Sequence, residues 1–312
     1  MKQKFFRINV LAGVIGGLCA LPTQAADFYF GADDDVSVQI NSAISLGASW
    51  RTEGASTRLI GAGNDGAVSD KNPSLDDGNL NYGKNDMFSQ IIKGSHDIQV
   101  TKGNFGSFAR IKYWSDQELK EGNVPHGNFL NEYESNTPLS DEGFADNAKF
   151  EGITLLDAYV YGSFDVAEKP LDVRIGRQVL SWGESTFIQG GLNSSNPFDV
   201  SALRRAGSTL KEGIMPVGMA YANLGLSESL SVEAFYQYEW AKTEIDGCGT
   251  LFSADFIADN CAGLSIGGDS GLDDASSYGA GMFVTRGEDV DPKDGGQYGL
   301  AARFFSETLN NT

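Results

Sequence analysis

Residues 36–50 read VSVQINSAISLGASW, and this stretch decides the fold class. Its even-numbered positions are mostly apolar, from Val36 through Ile40 and Leu46 to Trp50, whereas its odd-numbered positions are small or polar. A period of two over this length is typical of a β-strand with one apolar and one polar face. Residues 230–240 and 297–304 repeat the pattern, except that Phe235 interrupts the polar face.

Weaker strand candidates fill the chain between these segments, which brings the predicted total to about eight strands. They lie at residues 91–101, 107–114, 154–164, 171–180 and 217–225. The links between strands alternate in length. Tight turns are predicted at 102–106, 165–170 and 226–229, and long, acidic links rich in Gly, Asn and Asp at 52–88, 115–152, 181–215 and 241–296.

Alternation of short and long links is typical of bacterial outer-membrane barrels, which have short periplasmic turns and long outer loops. A β-sandwich also alternates apolar and polar residues, but links this long at every second connection are uncommon in compact sandwiches. The sequence therefore predicts an all-β, antiparallel transmembrane outer-membrane β-barrel, and an exported β-sandwich binding protein is the alternative. Trp50, Trp114 and Trp240 lie near strand ends and are predicted to belong to an aromatic girdle.

Residues 1–25 have the layout of a cleaved secretory signal peptide. Lys2, Lys4 and Arg7 precede an apolar run at 10–21, which is shorter than the roughly 20 residues of a spanning helix. We therefore expect export, a barrel domain at 26–312, and a location in the outer membrane of a Gram-negative bacterium. The tail after residue 304 does not end on an aromatic strand residue, so the barrel is predicted to be an incomplete fragment.

The net charge of the chain excludes some classes of binding partner. Loss of the three basic residues of the signal peptide would take the formal net charge from −19 to −22. So acidic a chain is not expected to bind nucleic acid. A barrel would contact outer-membrane lipid and lipopolysaccharide. No cofactor is predicted.

Cys248 and Cys261 flank a stretch rich in Gly and Asp, and in an exported protein they indicate a disulfide that closes a surface loop. A metal site is the alternative, but the exported chain would contain only His96 and His126. The acidic residues 33–35 and 273–274 do not have EF-hand spacing, so no metal site is predicted.

Residues 174–205 contain the highest density of unusual side chains. By strand phase, Asp172 and Arg174 point inward, whereas Arg177 would face lipid unless a bulge at Gly176 turns it inward. The following link is predicted to fold into the barrel as a charged constriction. The alternative is a salt-bridged loop that braces the wall. The candidates for pore lining or loop anchoring are Arg174, Arg177, Trp182, Glu184, Arg204 and Arg205.

The run RIGRQVLSWGESTFIQGGLNSSNPFDVSALRRAG (174–207), followed by residues 210–240, resembles a proteobacterial outer-membrane family known as domain of unknown function 1302. Its most specific elements are Gly176-Arg177-Gln178, Trp182-Gly183-Glu184 and Asn196-Pro197. The resemblance implies an outer-membrane barrel that moves apolar or lipid-like solutes, together with a periplasmic carrier and an inner-membrane pump. Members are typically much longer than this chain, which also favours a fragment. The resemblance implies no catalytic residue.

The expected function is therefore that of an outer-membrane channel or transporter. The long outer links favour a surface adhesin or structural barrel as an alternative. An enzyme is not expected, because Ser95 and His96 point to opposite faces of a strand and His126 has no recognisable serine partner. Residues 61–66 have the glycine spacing of a dinucleotide loop but lack its strand and helix, and they are predicted to form a flexible outer loop.

Overall fold

The computed structural model describes residues 26–31, 35–67, 76–182, 195–253, 257–261, 263–267 and 271–305. The predicted signal peptide and Glu184 lie outside these ranges. Across the part of the chain that is described, none of the helices has the length and apolar character needed to span a membrane.

Nine strands form one antiparallel sheet in which each strand pairs with the next one along the chain. They are β1 (Ala26–Phe30), β2 (Val36–Trp50), β3 (Met87–Lys102), β4 (Phe105–Asp116), β7 (Glu151–Val166), β8 (Lys169–Gln178), β9 (Val217–Ser227), β10 (Leu230–Gln237) and β13 (Gln297–Phe304). β1 and β13 are the two edges, and within the described ranges they do not pair with each other.

The remaining elements are short and lie in the long links. Two strand pairs are present, β5 (Asn123–Val124) with β6 (Thr137–Pro138) and β11 (Gly263–Ser265) with β12 (Phe283–Thr285). The helices are α1 (Asp77–Asn81), α2 (Gln117–Glu121), α3 (Val200–Arg204), α4 (Leu210–Gly213) and α5 (Asp274–Gly279). Single 3-10 turns occur at Thr57–Leu59, Ala62–Asn64 and Phe129–Asn131.

The strand predictions are confirmed for the main sheet. β2 and β13 have the predicted bounds, and the other six predicted strands are present with ends that differ by a few residues. β1 was not predicted, because ADFYF is short and shows no clear alternation. The predicted mostly β, antiparallel fold is thus present.

The two faces of the sheet differ sharply in chemistry. In the β2–β3 register, Val38 lies opposite Val100 and Ile40 opposite Ile98 on the apolar face. This face is open to the surroundings: Ile153 is 74% exposed and Leu300 is 74% exposed. Ile44 and Val160 on the same face are also exposed, at 64% and 58%.

The alternation of short and long links is also confirmed. β3–β4, β7–β8 and β9–β10 are joined by tight turns at one end of the sheet, and the long links all leave from the other end. This segregation follows from the antiparallel order, because every second connection returns to the same end.

Three of the long links fold together into what we call the cap, which consists of the described residues within 51–86, 117–150 and 238–296. They bury a common apolar core composed of Tyr82, Val124, Leu139, Phe144, Ala148, Phe150, Cys248, Ala258 and Cys261. In the segment predicted to be a flexible loop at 61–66, residues Ala62–Asn64 form a 3-10 turn, and Gly61 and Asn64 donate hydrogen bonds to the buried carboxylate of Asp76. Buried hydrogen bonds therefore hold this turn in place.

The predicted disulfide is confirmed. Cys248 and Cys261 are bonded, with their Cα atoms 5.6 Å apart. Each residue is only 1% exposed, so the bridge lies within the cap core and not on an exposed loop. The cross-link fixes two segments of the last long link against the core.

Two predictions about individual residues are wrong. β8 has no bulge at Gly176, since its pairing with both neighbours runs without interruption through that position. Glycine is needed there because φ is +135° and an added Cβ would lie 2.3 Å from the carbonyl oxygen of Ala158. Trp114 is not a girdle residue, because it is 4% exposed and lies opposite Lys93 on the polar face. Trp50, 56% exposed, remains compatible with a girdle.

We predict that replacing Cys248 and Cys261 together with Ser lowers the stability of the cap by about 2–4 kcal/mol, because the unfolded segment is no longer cross-linked. Amide hydrogen exchange should become faster in residues 238–261 and stay unchanged in β2 and β3. Chemically reduced wild-type protein is the matched comparison. Equal exchange rates in the oxidised protein and the variant would contradict the prediction.

Candidate functional site

The polar face, opposite the exposed apolar face, carries a row of charged and tyrosine side chains contributed by neighbouring strands. β3 and β4 provide Asp97 and Arg110, which lie opposite each other in the register. β8 and β9 likewise place Arg174 opposite Tyr221. Antiparallel pairing with a period of two therefore collects these residues on one surface.

Arg110 is held rigidly by two carboxylates. Its Nε and one terminal nitrogen each lie 2.6 Å from an oxygen of Asp97, which is a bidentate pair. The other terminal nitrogen lies 3.3 Å from Asp157. A register shift between Ala109 and Ile111 leaves an extra residue of β7 at this point. The charge of Arg110 is thus balanced within the sheet.

Arg174 has a different environment. Its guanidinium lies 4.5 Å from the ring centre of Tyr221 and 5.8 Å from that of Tyr159. Among the residues that the structure describes, no carboxylate lies within ion-pair distance of it. Tyr161 and Gln99, which are hydrogen-bonded at 2.9 Å, lie beside it and help to line a depression of about 330 Å³. Arg174 therefore presents a positive charge among aromatic rings.

Residues 195–216, which we call the crossing segment, connect β8 to β9 but contact the polar face of β2–β4. Lys112 of β4 pairs with Asp199 at 2.6 Å, and Lys93 of β3 pairs with Glu212 at 2.7 Å. An added Cβ at Gly47 of β2 would lie 2.5 Å from the Cβ of Ala206. The segment therefore extends over the polar face to strands that are not adjacent to β8 or β9.

The Lys112–Asp199 pair is the most buried ion pair of the crossing segment among the described residues. The side chains are 5% and 0% exposed. Asp199 also caps α3 by accepting a hydrogen bond from the backbone N–H of Ala202 at 2.9 Å. The same carboxylate thus starts the helix and attaches it to the sheet.

The predicted candidates do not form one cluster. Arg174 lies on the polar face. Arg177 keeps the opposite strand phase and lies 3.5 Å from Glu239. The Trp182 ring packs edge-on against Phe235 at 5.2 Å, which explains why an aromatic residue interrupts the polar face of β10. Glu184 lies outside the described residues.

Arg204 and Arg205 anchor the crossing segment to the cap. Arg204 pairs with Asp246 and donates a hydrogen bond to the carbonyl of Phe252 at 2.8 Å. Arg205 donates to the carbonyl of Asn147 at 2.6 Å and lies 4.4 Å from the ring centre of Trp114. Burial raises the pKa of the Asp246 carboxyl, and the guanidinium of Arg204 opposes that shift. These contacts fit loop anchoring, and lining of a pore by the two arginines stays a prediction.

Several residues of the polar face were missed at the level of sequence. Asp97, Arg110 and Asp157 are charged residues within predicted strands. Strand phase alone would have placed the first two on the polar face. The bulge shifts the phase of β7 near Asp157, and that shift has no sequence signal.

His96 has a serine partner that was also missed. Its Nδ1 lies 2.8 Å from the hydroxyl of Ser42 on the neighbouring strand. In the described part of the chain, no carboxylate is hydrogen-bonded to the ring. The hydrogen bond satisfies two polar groups on the apolar face. The expectation that the chain is not an enzyme stays a prediction.

A comparison with known families identifies the chain. The family described as "Protein of unknown function (DUF1302)" matches residues 7–312. The chain belongs to this family. The match includes the whole sheet, the crossing segment and the cap of this DUF1302 member. No curated protein and no solved structure matches the chain significantly.

We predict that Lys112→Met lowers the free energy of unfolding by about 3–5 kcal/mol, because it leaves the buried Asp199 carboxylate without its partner. Urea titration of the refolded chain measures the change. Lys120→Met is the matched control, since Lys120 pairs with Glu151 at a more exposed site and the cost should be about 0–1 kcal/mol. Equal losses in the two variants would contradict the prediction.

Proposed function

We propose that this chain forms an outer-membrane β-barrel channel or transporter whose polar face lines the passage. The observation that carries the proposal is the chemistry of the sheet, with an exposed apolar face on one side and a row of charged and aromatic side chains on the other. Strands that cross a bilayer as a barrel alternate lipid-facing apolar residues with lumen-facing polar residues.

Membrane insertion requires that no backbone polar group is left unpaired in hydrocarbon. The edges β1 and β13 must therefore pair with each other or with strands outside residues 26–305. In the proposed orientation, the tight turns face the periplasm and the cap faces outward. A buried disulfide in the cap is consistent with an exported, oxidising location.

The crossing segment supports a constriction. In a closed barrel, a segment that leaves β8 and contacts β2–β4 would traverse the interior. Its ion pairs with Lys93 and Lys112 would fix it there. Solutes would then pass a charged and narrowed zone, which is how many channels select what they conduct.

The surroundings of Arg174 favour an amphipathic solute with an acidic group. The guanidinium suits a carboxylate, and the adjacent rings of Tyr159 and Tyr221 suit an apolar body. This agrees with the apolar or lipid-like solutes that the family resemblance implies. A periplasmic carrier and an inner-membrane pump would then meet the protein at the end with the tight turns.

The decisive experiment compares the gel mobility of heated and unheated samples of the full chain from outer-membrane fractions, followed by planar-bilayer conductance. A heat-dependent shift and discrete conductance steps are expected. A soluble periplasmic product with no shift would overturn the barrel. A shift without conductance or solute uptake, combined with binding to cells or matrix, would favour a surface adhesin.

We predict that Arg174→Glu shifts ion selectivity towards cations, because a negative charge would replace a positive charge that has no ion-pair partner among the described residues. Reversal potentials in a salt gradient measure the effect. Lys169→Glu is the matched control, since it makes the same charge change at the exposed β7–β8 turn. If both variants shift the reversal potential equally, Arg174 does not line the passage.

We predict that replacing Arg204 and Arg205 together with Ala raises single-channel conductance and its fluctuation, because the crossing segment loses its contacts with Asp246, Asn147 and the Trp114 ring. The measurement requires normal heat-dependent mobility of the variant as evidence of assembly. Unchanged conductance in a correctly assembled variant would show that the segment does not constrict the passage.

A further inference from the structure

Three separate links of the cap meet at a cluster of buried titratable side chains. The members are Asp77 on α1, His126 after β5, and Asp274 on α5. The side chains of the two aspartates are 1% and 0% exposed, and that of His126 is 17% exposed.

The distances within the cluster fit a metal coordination sphere better than hydrogen bonds. The Nε2 atom of His126 lies 3.4 Å from Oδ1 of Asp77 and 3.6 Å from Oδ2 of Asp274. Ordinary N–H···O bonds are about 2.7–3.2 Å long. Zinc–nitrogen and zinc–oxygen bonds of about 2.1 Å place neighbouring ligand atoms of a tetrahedron about 3.4 Å apart. One ligand atom from each residue lies within 4.8 Å of the others.

An unsatisfied polar atom in the cluster is an independent observation that favours cation binding. Asp274 is fully buried, and its Oδ1 accepts no hydrogen bond from the described residues. The Nε2 atom of His126 is likewise buried without a hydrogen bond. Asp76, 2% exposed, adds a further carboxylate beside the cluster. One imidazole cannot balance three buried carboxylates, and buried charges in proteins are paired or coordinate metals.

Neighbouring residues hold the ligands in position. The side-chain nitrogen of Asn64 donates to Oδ2 of Asp274 at 2.7 Å and to Asp76 at 3.2 Å. The backbone N–H of His126 donates to the side chain of Asn81 at 3.1 Å. Such contacts behind the ligands orient them and strengthen metal binding.

We propose that Asp77, His126 and Asp274 bind a divalent transition-metal ion, with Zn²⁺ as the ion that best fits one imidazole and two carboxylates. Calcium and magnesium prefer an all-oxygen set, whereas imidazole suits zinc and its neighbours. Three protein ligands leave a fourth position for water or an external group. The ion would tie three links of the cap together, and its binding would stabilise the folded cap.

The test uses the full chain, purified without a histidine tag and treated with a chelator. Zn²⁺ is titrated by calorimetry, and one ion per chain with micromolar or tighter affinity is expected. Co²⁺ should give the visible absorption of a four-coordinate ion. His126→Ala and Asp274→Asn should each weaken Zn²⁺ binding by at least tenfold. Loss of a residue that only hydrogen-bonds to a metal ligand already costs about tenfold or more in affinity, and loss of a ligand should cost no less.

Two control variants separate the site from adventitious binding. Asp146→Asn removes the same charge from an exposed carboxylate of the cap, 86% exposed, and His96→Ala removes the other described histidine. Both should bind Zn²⁺ as the wild type does. Equal weakening in Asp146→Asn and Asp274→Asn would overturn the assignment.

The wild-type titration decides the proposal even if the variants fail to fold. If Zn²⁺ does not bind even at concentrations well above micromolar, the proposed metal site is wrong. Tighter binding of Ca²⁺ or Mg²⁺ than of Zn²⁺ would also overturn it. Slower amide hydrogen exchange in the cap after addition of Zn²⁺ would support the proposed metal site. Channel activity does not enter the readout, so failure of the proposed transport function would leave this result independent.

Discussion

The rest of the structure depends on continuous antiparallel backbone pairing from β1 to β13. This pairing fixes which side chains become neighbours, for example Arg110 opposite Asp97 and Tyr161 opposite Arg174. A slip of one residue would exchange the two faces and place charges among apolar side chains. The chemical contrast between the faces therefore stabilises one register as well as defining two surfaces.

The cap is stabilised by contacts that show no sequence periodicity, unlike the sheet. Its core combines single side chains from three links, such as Tyr82, Phe144 and Cys248, with no repeating pattern in the sequence. Its buried polar groups are mostly held by asparagine and aspartate, as at Asn64, Asn81 and Asp76. Acidic and amide residues that look like solvated loop in the sequence thus form the internal framework of a folded unit.

Features that depend on local periodicity, such as strand bounds and strand faces, could be predicted from the sequence. Features that depend on contacts between residues distant in the chain could not. The bounds of β2 and the position of Arg174 on the polar face followed from alternation alone. The disulfide followed from having two cysteines after residue 25. The partner of Lys112, Asp199, is 87 residues away, and no local pattern connects them. Gly176 was misjudged because glycine within a strand also serves close strand contact, which a single sequence does not distinguish from a bulge.

The crossing segment has a consequence for how the molecule assembles. It joins residues near 93 and 112 to residues near 199 and 212, so its ion pairs cannot form until strands early and late in the chain are both in place. Contacts so distant in sequence carry a large loop-closure cost and slow folding. Once docked, the segment acts as a strut that ties β3 and β4 to the link between β8 and β9, across the intervening strand β7.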